Sequence, residues 1–80
     1  MESVKMIWDF YGPNAEAIAK HHEKHVGEFA ISECLETVTT GTSKIVDGHY
    51  MAFMIVPNEQ VMHLREILKP HRGQRYFPEN

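Results

Sequence analysis

Three histidines fall within five residues of the segment AIAKHHEKHVGEF, which spans residues 17–29. If this segment is helical, His21 and His25 lie one turn apart and their rings can share one side of the helix. Two imidazoles at this spacing can hold zinc, nickel or copper, with further ligands from elsewhere. Glu28 follows along the same edge, so one interpretation of the pattern is a divalent transition-metal site. The alternative interpretation is that both histidines are solvated, and it is favoured because no cysteine pair or distant His-x-His accompanies them.

The zinc-protease motif is not present in this segment. That motif requires His-Glu-x-x-His, whereas here His22-Glu23 is followed by Lys24 and then His25, so the second histidine arrives one residue early. On a helical projection His22 lies within an apolar stripe that also contains Ala15, Ile18, Ala19, Val26 and Phe29. We therefore expect His22 to face the core and to hydrogen-bond to a protein group.

A second chemically distinctive position is Asp9, which interrupts the apolar and aromatic run VKMIWDFY between Trp8 and Phe10. A carboxylate in such surroundings needs a hydrogen-bond donor or a cation, or its pKa must rise. His49 and Arg72 are candidate partners that are distant in sequence. Whether they can reach Asp9 depends on the elements that carry them.

The residue pattern divides the chain into alternating strands and helices. Bulky apolar and aromatic residues predict strands, whereas apolar positions at three- and four-residue steps predict helices. Pro13 suits a helical first turn, and Asp47-Gly48 indicates a turn. The predicted elements are a strand at 4–11, a helix from 13 to about 31, a strand at 35–41, a loop at 42–48, a strand at 49–56, a helix from about 58 to 69 and a last strand at 73–77.

This order of strand, helix, strand, strand, helix, strand resembles the ferredoxin-like split βαβ arrangement over nearly the whole chain. The resemblance is one of pattern and implies a single α+β domain at residues 1–80, with a four-stranded antiparallel sheet and two helices on one face. Dimeric α+β barrel proteins of similar topology include cofactor-independent oxygenases and ligand-binding regulators. Because a fold of this kind hosts many functions, the resemblance predicts the architecture and leaves the activity open.

The expected chain directions bring several polar residues to one end of the domain. The first strand ends there, the third begins there and the second helix ends there, which predicts convergence of Asp9, Tyr11, His49, His71 and Arg72. An Asp9–His49 pair could orient the imidazole for general acid–base catalysis, and Arg72 could bind an anionic group. Trp8 is a further candidate to line a pocket. The alternative, which is favoured, is a structural ion-pair network at the end of the sheet.

The third predicted strand, HYMAFMIV, is apolar on both faces. One face carries Met51, Phe53 and Ile55, yet a single layer of helices covers only one side of a sheet. Open antiparallel sheets normally alternate apolar and polar residues. We therefore expect a homodimer that packs sheet against sheet about a two-fold axis.

Composition excludes several broad classes of partner. The 80 residues carry a formal net charge of −3, which argues against general nucleic-acid binding. No apolar run approaches the ~20 residues of a membrane span, and the first residues lack the pattern of a secretory signal. Cys34 is the single cysteine, which excludes an intrachain disulfide and suits a reducing compartment. We expect a cytoplasmic protein without membrane association.

Three functional hypotheses follow from the sequence. The first is a dimeric binding domain with a small-molecule or anion site near Asp9, Tyr11, His49 and Arg72. The second is a metal-binding protein that uses His21 and His25. The third is a small acid–base enzyme of the dimeric α+β barrel type, and it is weakened because no nucleophile lies in a recognisable setting.

Overall fold

The computed structural model describes residues 2–35 and 38–76. In these ranges four strands and two α-helices follow the order strand, helix, strand, strand, helix, strand, and a short 3₁₀ turn at Asn58–Gln60 precedes the second helix. The elements are β1 (Ser3–Tyr11), α1 (Ala15–Ser32), β2 (Thr39–Val46), β3 (His49–Pro57), α2 (Val61–Leu68) and β4 (Arg72–Tyr76). No helix among the described residues is long and apolar enough to cross a membrane.

The strands form one antiparallel sheet in the order β2-β3-β1-β4. This is the order expected for the ferredoxin-like arrangement, so the prediction of an α+β fold is confirmed. The two central strands pair along their whole length, from Ser3 opposite Pro57 to Tyr11 opposite His49. This register places the end of β1 directly beside the start of β3.

Both helices pack against the same face of the sheet. Alternate residues of β1 and β3 supply the sheet side of the core, and small or apolar residues of the helices supply the other side. The buried core cluster comprises Met6, Trp8, Val26, Ala30, Ala52, Met54, Val56 and Leu64. Odd-numbered residues of β1 and β3, including Asp9 and His49, therefore lie on the opposite face, which we call the open face.

The prediction for the second strand was wrong in its position. The sequence predicted a strand at 35–41 and a loop at 42–48, whereas β2 runs from Thr39 to Val46. Residues 36–37 of the predicted strand lie outside the described residues. Because the turn at Asp47 and Gly48 is tight, β2 must pair with β3 as far as this turn, although the residues of β2 are mostly polar. Gly48 adopts a φ of 78°, which side-chain-bearing residues rarely adopt.

The stripe predicted for α1 is also shifted in part. Ile18 was assigned to the buried face but is 46% exposed, whereas Ala30 is buried. The buried positions at Ala15, Ala19, Val26 and Ala30 are mostly small, so α1 can lie close to the sheet.

The open face is better covered by its own side chains than the sequence suggested. Ile7 is only 1% exposed and Met51 only 8% exposed within the single chain. The Phe53 ring lies over Gly41 of β2, where an added Cβ would stand 2.6 Å from the ring. The Lys5 ammonium covers the same ring, with its Nζ 4.4 Å from the ring centroid. The centre of this face is therefore shielded without a second subunit, and the homodimer stays a prediction.

Candidate functional site

The Asp9 carboxylate lies at the centre of a hydrogen-bonded group on the open face. Its Oδ1 atom is 2.9 Å from Nε2 of His49, and its Oδ2 atom accepts a hydrogen bond of 2.9 Å from Nε of Arg72. The Nη2 group of Arg72 donates a second bond, of 3.1 Å, to Oδ1. The side chain of Asp9 is only 11% exposed. A carboxylate placed in an apolar strand thus obtains the cation and the donors that it requires.

These contacts keep Asp9 ionised. The hydrogen bond from Arg72 is the largest influence that lowers the pKa of Asp9, from 3.8 to about 2, and the bond to His49 acts in the same direction. Partial burial opposes this shift without reversing it. The same hydrogen bond raises the pKa of Arg72. The Arg72–Asp9 pair is therefore a fixed ion pair over the physiological range of pH.

The end of α2 is held in the position that delivers Arg72 to Asp9. The indole Nε1–H of Trp8 donates a 3.0 Å hydrogen bond to the carbonyl of Leu68, in the last turn of α2. Lys69 then adopts a left-handed conformation, with φ of 49°, and ends the helix. The backbone N–H of His71 donates to the carbonyl of Ile7 at 2.9 Å, which starts β4 beside β1.

His71 extends this strand pairing through its side chain. Its Nδ1 atom accepts a 2.9 Å hydrogen bond from the backbone N–H of Asp9. Because an N–H can only donate, Nδ1 of His71 must be unprotonated, and the neutral ring carries its hydrogen on Nε2. His71 therefore positions the backbone of Asp9, and only its Nε2–H is left for another partner.

His49 has the orientation of a candidate acid–base group. An ionised carboxylate can only accept, so Nε2 of His49 must carry the hydrogen that it shares with Asp9. In the neutral ring this leaves the lone pair on Nδ1. The ring stacks on Tyr11, with centroids 4.3 Å apart and an interplanar angle of 21°. Tyr11 itself is 70% exposed, so it presents aromatic surface to solvent beside His49.

The structure thus brings together all five residues that the topology predicted to converge. His49 and Arg72 both contact the Asp9 carboxylate, Tyr11 stacks on His49, and His71 accepts a hydrogen bond from the backbone of Asp9. Trp8 lies elsewhere: it is 3% exposed, belongs to the core on the helix side and is separated from the open face by the sheet. Its role near the site is to hold the end of α2.

The two histidines of the metal hypothesis do meet on the surface of α1. The Nε2 atoms of His21 and His25 are 3.0 Å apart, and Nδ1 of His25 lies 3.6 Å from a carboxylate oxygen of Glu28. In residues 2–35 and 38–76, no group of three or more His, Cys, Asp or Glu side chains is arranged to hold a metal ion. Within the described chain the pair is therefore a two-ligand arrangement.

His22 differs from the expectation in one respect. It packs into the core side of α1, with its ring 4.7 Å from that of Trp8 and 5.6 Å from that of Phe10. Its Nε2 atom is buried, but no hydrogen-bond partner for it is found among the described residues. Burial lowers the pKa of His22. The ring is therefore held in its neutral form more strongly than a solvated histidine would be.

Two surface cavities lie away from this site. One, of about 600 Å³, lies between α1 and the edge strand β2, and the other, of about 280 Å³, lies between α2 and β4. Neither is lined by Asp9 or His49. The second is lined by Arg65 and Arg75, which the sequence did not mark as site residues. The alternation of side chains along β4 could have indicated Arg75, because it places Gly73 and Arg75 on the same face of the sheet.

Comparison with protein-family models, with curated proteins and with solved structures found no match to this chain.

Proposed function

We propose that this chain is a small-molecule-binding domain whose site lies on the open face around His49. The observation that carries the proposal is the hydrogen-bonded series Arg72–Asp9–His49, with Tyr11 stacked at its end. The ligand is a small planar organic anion. Its ring stacks on the exposed side of Tyr11, and its charged group lies towards His49 and the outer edge of Arg72.

The charge arrangement supports an anion rather than a cation. Asp9 uses both of its oxygens on His49 and Arg72, so its negative charge is already compensated. The guanidinium binds Asp9 through Nε and Nη2, whereas Nη1 makes no hydrogen bond within the described chain. Protonation of His49 at Nδ1 would add a donor and a positive charge. Arg72 and protonated His49 can therefore donate hydrogen bonds to an anion, and Asp9 loses little solvation because it is already paired.

A homodimer in the cytoplasm is part of the same proposal. Phe53 and Ile55 of the open face remain half-buried, and Tyr11 and Val46 are exposed along it, with Val46 60% exposed. A second copy packed on this face would cover these four side chains and would enclose the site beside Tyr11. The single thiol of Cys34 is free and suits a reducing compartment.

Binding of benzoate to the purified 80-residue chain tests the ligand site. We expect saturable changes in the NMR signals of the Tyr11 and His49 rings, and weaker changes with benzylamine, which has the opposite charge. Arg72→Gln should weaken benzoate binding at least tenfold, because a charge-assisted hydrogen bond is lost. Lys69→Gln removes a nearby positive charge without touching the site and serves as the matched control. Equal binding of benzoate and benzylamine would contradict the proposal.

A second candidate function, acid–base catalysis, is favoured by the orientation of His49. Asp9 fixes the ring through Nε2, and Nδ1 is then available to take a proton from a substrate. Asp9 would stabilise the imidazolium that forms. The protonated ring could return the proton in a later step, so the pair suits proton transfer without a covalent intermediate. If His49→Gln abolishes turnover of a substrate that requires proton transfer but still binds benzoate, His49 acts in catalysis and not in binding alone.

A further inference from the structure

The 280 Å³ cavity between α2 and β4 has two chemically different parts. Its floor is apolar and is formed by Val4, Met6 and Val61. Arg65 from α2 and Arg75 from β4 also line it, and both are exposed residues. A cavity with an apolar floor and cationic groups at its rim is suited to an amphipathic anion.

Gly73 explains why this space is unfilled. On β4, Gly73 pairs with Met6 and Arg75 pairs with Val4, so both positions face the helix layer. A side chain at position 73 would occupy the gap between β4 and α2. A Cβ added there would meet only Cγ1 of Val4 at 3.6 Å and the carbonyl of Lys5 at 4.0 Å. These are ordinary contacts, so the space is open because the residue is glycine.

Three other cations of the described residues form salt bridges, whereas these two arginines do not. Lys20 pairs with Glu16, Lys44 pairs with Asp47, and Arg72 pairs with Asp9. Within residues 2–35 and 38–76, neither Arg65 nor Arg75 forms a salt bridge, and no acidic residue of those ranges lines the cavity. Two guanidinium groups with no acidic partner among the described residues therefore border one apolar space, in a chain with a net charge of −3.

We propose that this cavity binds a small alkyl carboxylate. The alkyl chain lies on Val4, Met6 and Val61, and the carboxylate accepts hydrogen bonds from Arg65 and Arg75, whose planar forks match its geometry. The volume lies just below the usual range for small-molecule pockets, roughly 300–1,000 Å³, which favours a short chain. Val4 is five residues from Asp9 along β1, a separation of about 17 Å in an extended strand, so this site is distinct from the one around His49.

Titration of the full chain with octanoate tests the inference, followed by NMR of the methyl groups of Val4, Met6 and Val61. We expect saturable shifts with octanoate and none of comparable size with octylammonium or octanol. Arg65→Gln and Arg75→Gln should each weaken binding at least tenfold, since each removes a charged hydrogen-bond donor. Lys69→Gln, which removes one positive charge just beyond α2, should bind as the parent does.

Substitution of Gly73 supplies an independent measurement. Gly73→Ala should keep the native spectrum and weaken octanoate binding, and Gly73→Leu should abolish binding because its side chain fills the floor. If Gly73→Leu does not fold, the arginine variants still decide, because they leave the core unchanged. The inference is overturned if octanol or octylammonium shifts the same methyl groups as strongly as octanoate. It is equally overturned if the arginine variants bind like Lys69→Gln. Loss of benzoate binding in Arg72→Gln reports only on the other site.

Discussion

The Nε2 atom of His49 lies 2.9 Å from the Oδ1 atom of Asp9. The two residues belong to the neighbouring strands β3 and β1, in which Tyr11 pairs with His49 at one end. Asp9 and His49 are not directly opposite each other, since Asp9 pairs with Met51. Their side chains meet diagonally on the same face of the sheet, which the two-residue alternation permits. Arg72 approaches the same carboxylate from β4, so three strands contribute to one group.

Removal of the charge at this centre should destabilise the fold. Asp9→Asn leaves Arg72 and His49 without their anionic partner, and we expect a loss of about 1–3 kcal/mol in the free energy of unfolding. The value lies towards the lower end because Arg72 is half exposed and solvent screens it. Urea denaturation measures the change. Asp47→Asn is the control, since its pair with Lys44 is exposed and should contribute under about 1 kcal/mol. Equal losses in the two variants would show that the Asp9 group contributes no more than a surface pair.

Acid should weaken the parent protein more than Asp9→Asn. The pKa of Asp9 is lowered in the folded chain to about 2 from 3.8, so ionised Asp9 favours the folded state. Its contribution is fully present above pH 3.8 and is lost as the pH falls towards 2. Urea midpoints measured between pH 5 and pH 2 should therefore fall more steeply in the parent than in Asp9→Asn. Parallel slopes would mean that Asp9 titrates as it does in the unfolded chain.

His22 should make stability depend on pH in the same direction as Asp9, but at higher pH. Burial lowers the pKa of His22 in the folded chain, and protonation of His25, His71 or His21 would lower it further. Its neutral form is favoured by folding, so its contribution is present above its unfolded pKa of 6.5 and declines as the pH falls below that value. We expect His22→Phe to reduce the difference in urea midpoint between pH 8 and pH 5. His63→Gln, an exposed position on α2, should leave that difference unchanged.

Metal binding through α1 should be weak but specific to one histidine pair. The 3.0 Å separation of the Nε2 atoms of His21 and His25 suits two bonds to one transition-metal ion, with water completing the coordination. Isothermal titration of the tag-free protein with Ni²⁺ should therefore show one site, and His25→Ala should weaken it at least tenfold. His63→Ala is the matched control. No heat of binding in the parent would end the metal hypothesis.

Self-association should depend on the open face. If two copies pack sheet against sheet, Ile55→Lys places a charge in the interface and should shift the protein to monomer in sedimentation equilibrium. Met62→Lys is the comparison, because Met62 is 75% exposed on α2 and lies outside the proposed interface. A parent protein that sediments as a monomer at high micromolar concentration would contradict the homodimer, and identical behaviour of the two variants would contradict this choice of face.

The sequence by itself determined the order of the elements and the end of the domain where polar residues meet. Strand and helix differ in the period of their apolar positions, and that period is local information, as VKMIWDFY and HYMAFMIV illustrate. The direction in which each strand and helix runs then followed from the order of the elements along the chain. The convergence of Asp9, His49 and Arg72 could therefore be predicted without coordinates, although β2 was misplaced because its polar residues carry no such period.

The tertiary structure decided what those residues do to one another. Hydrogen-bond partners depend on register and on side-chain rotamers, which no local pattern specifies. Only the packed chain showed that Arg72 binds Asp9 through two of its nitrogens and that Trp8 holds the end of α2. The burial of Ile7 and the cavity beside Gly73 likewise depend on side chains from several elements. Such contacts depend on the exact placement of side chains that are as far apart in sequence as Asp9 and Arg72, and local residue patterns do not specify that placement.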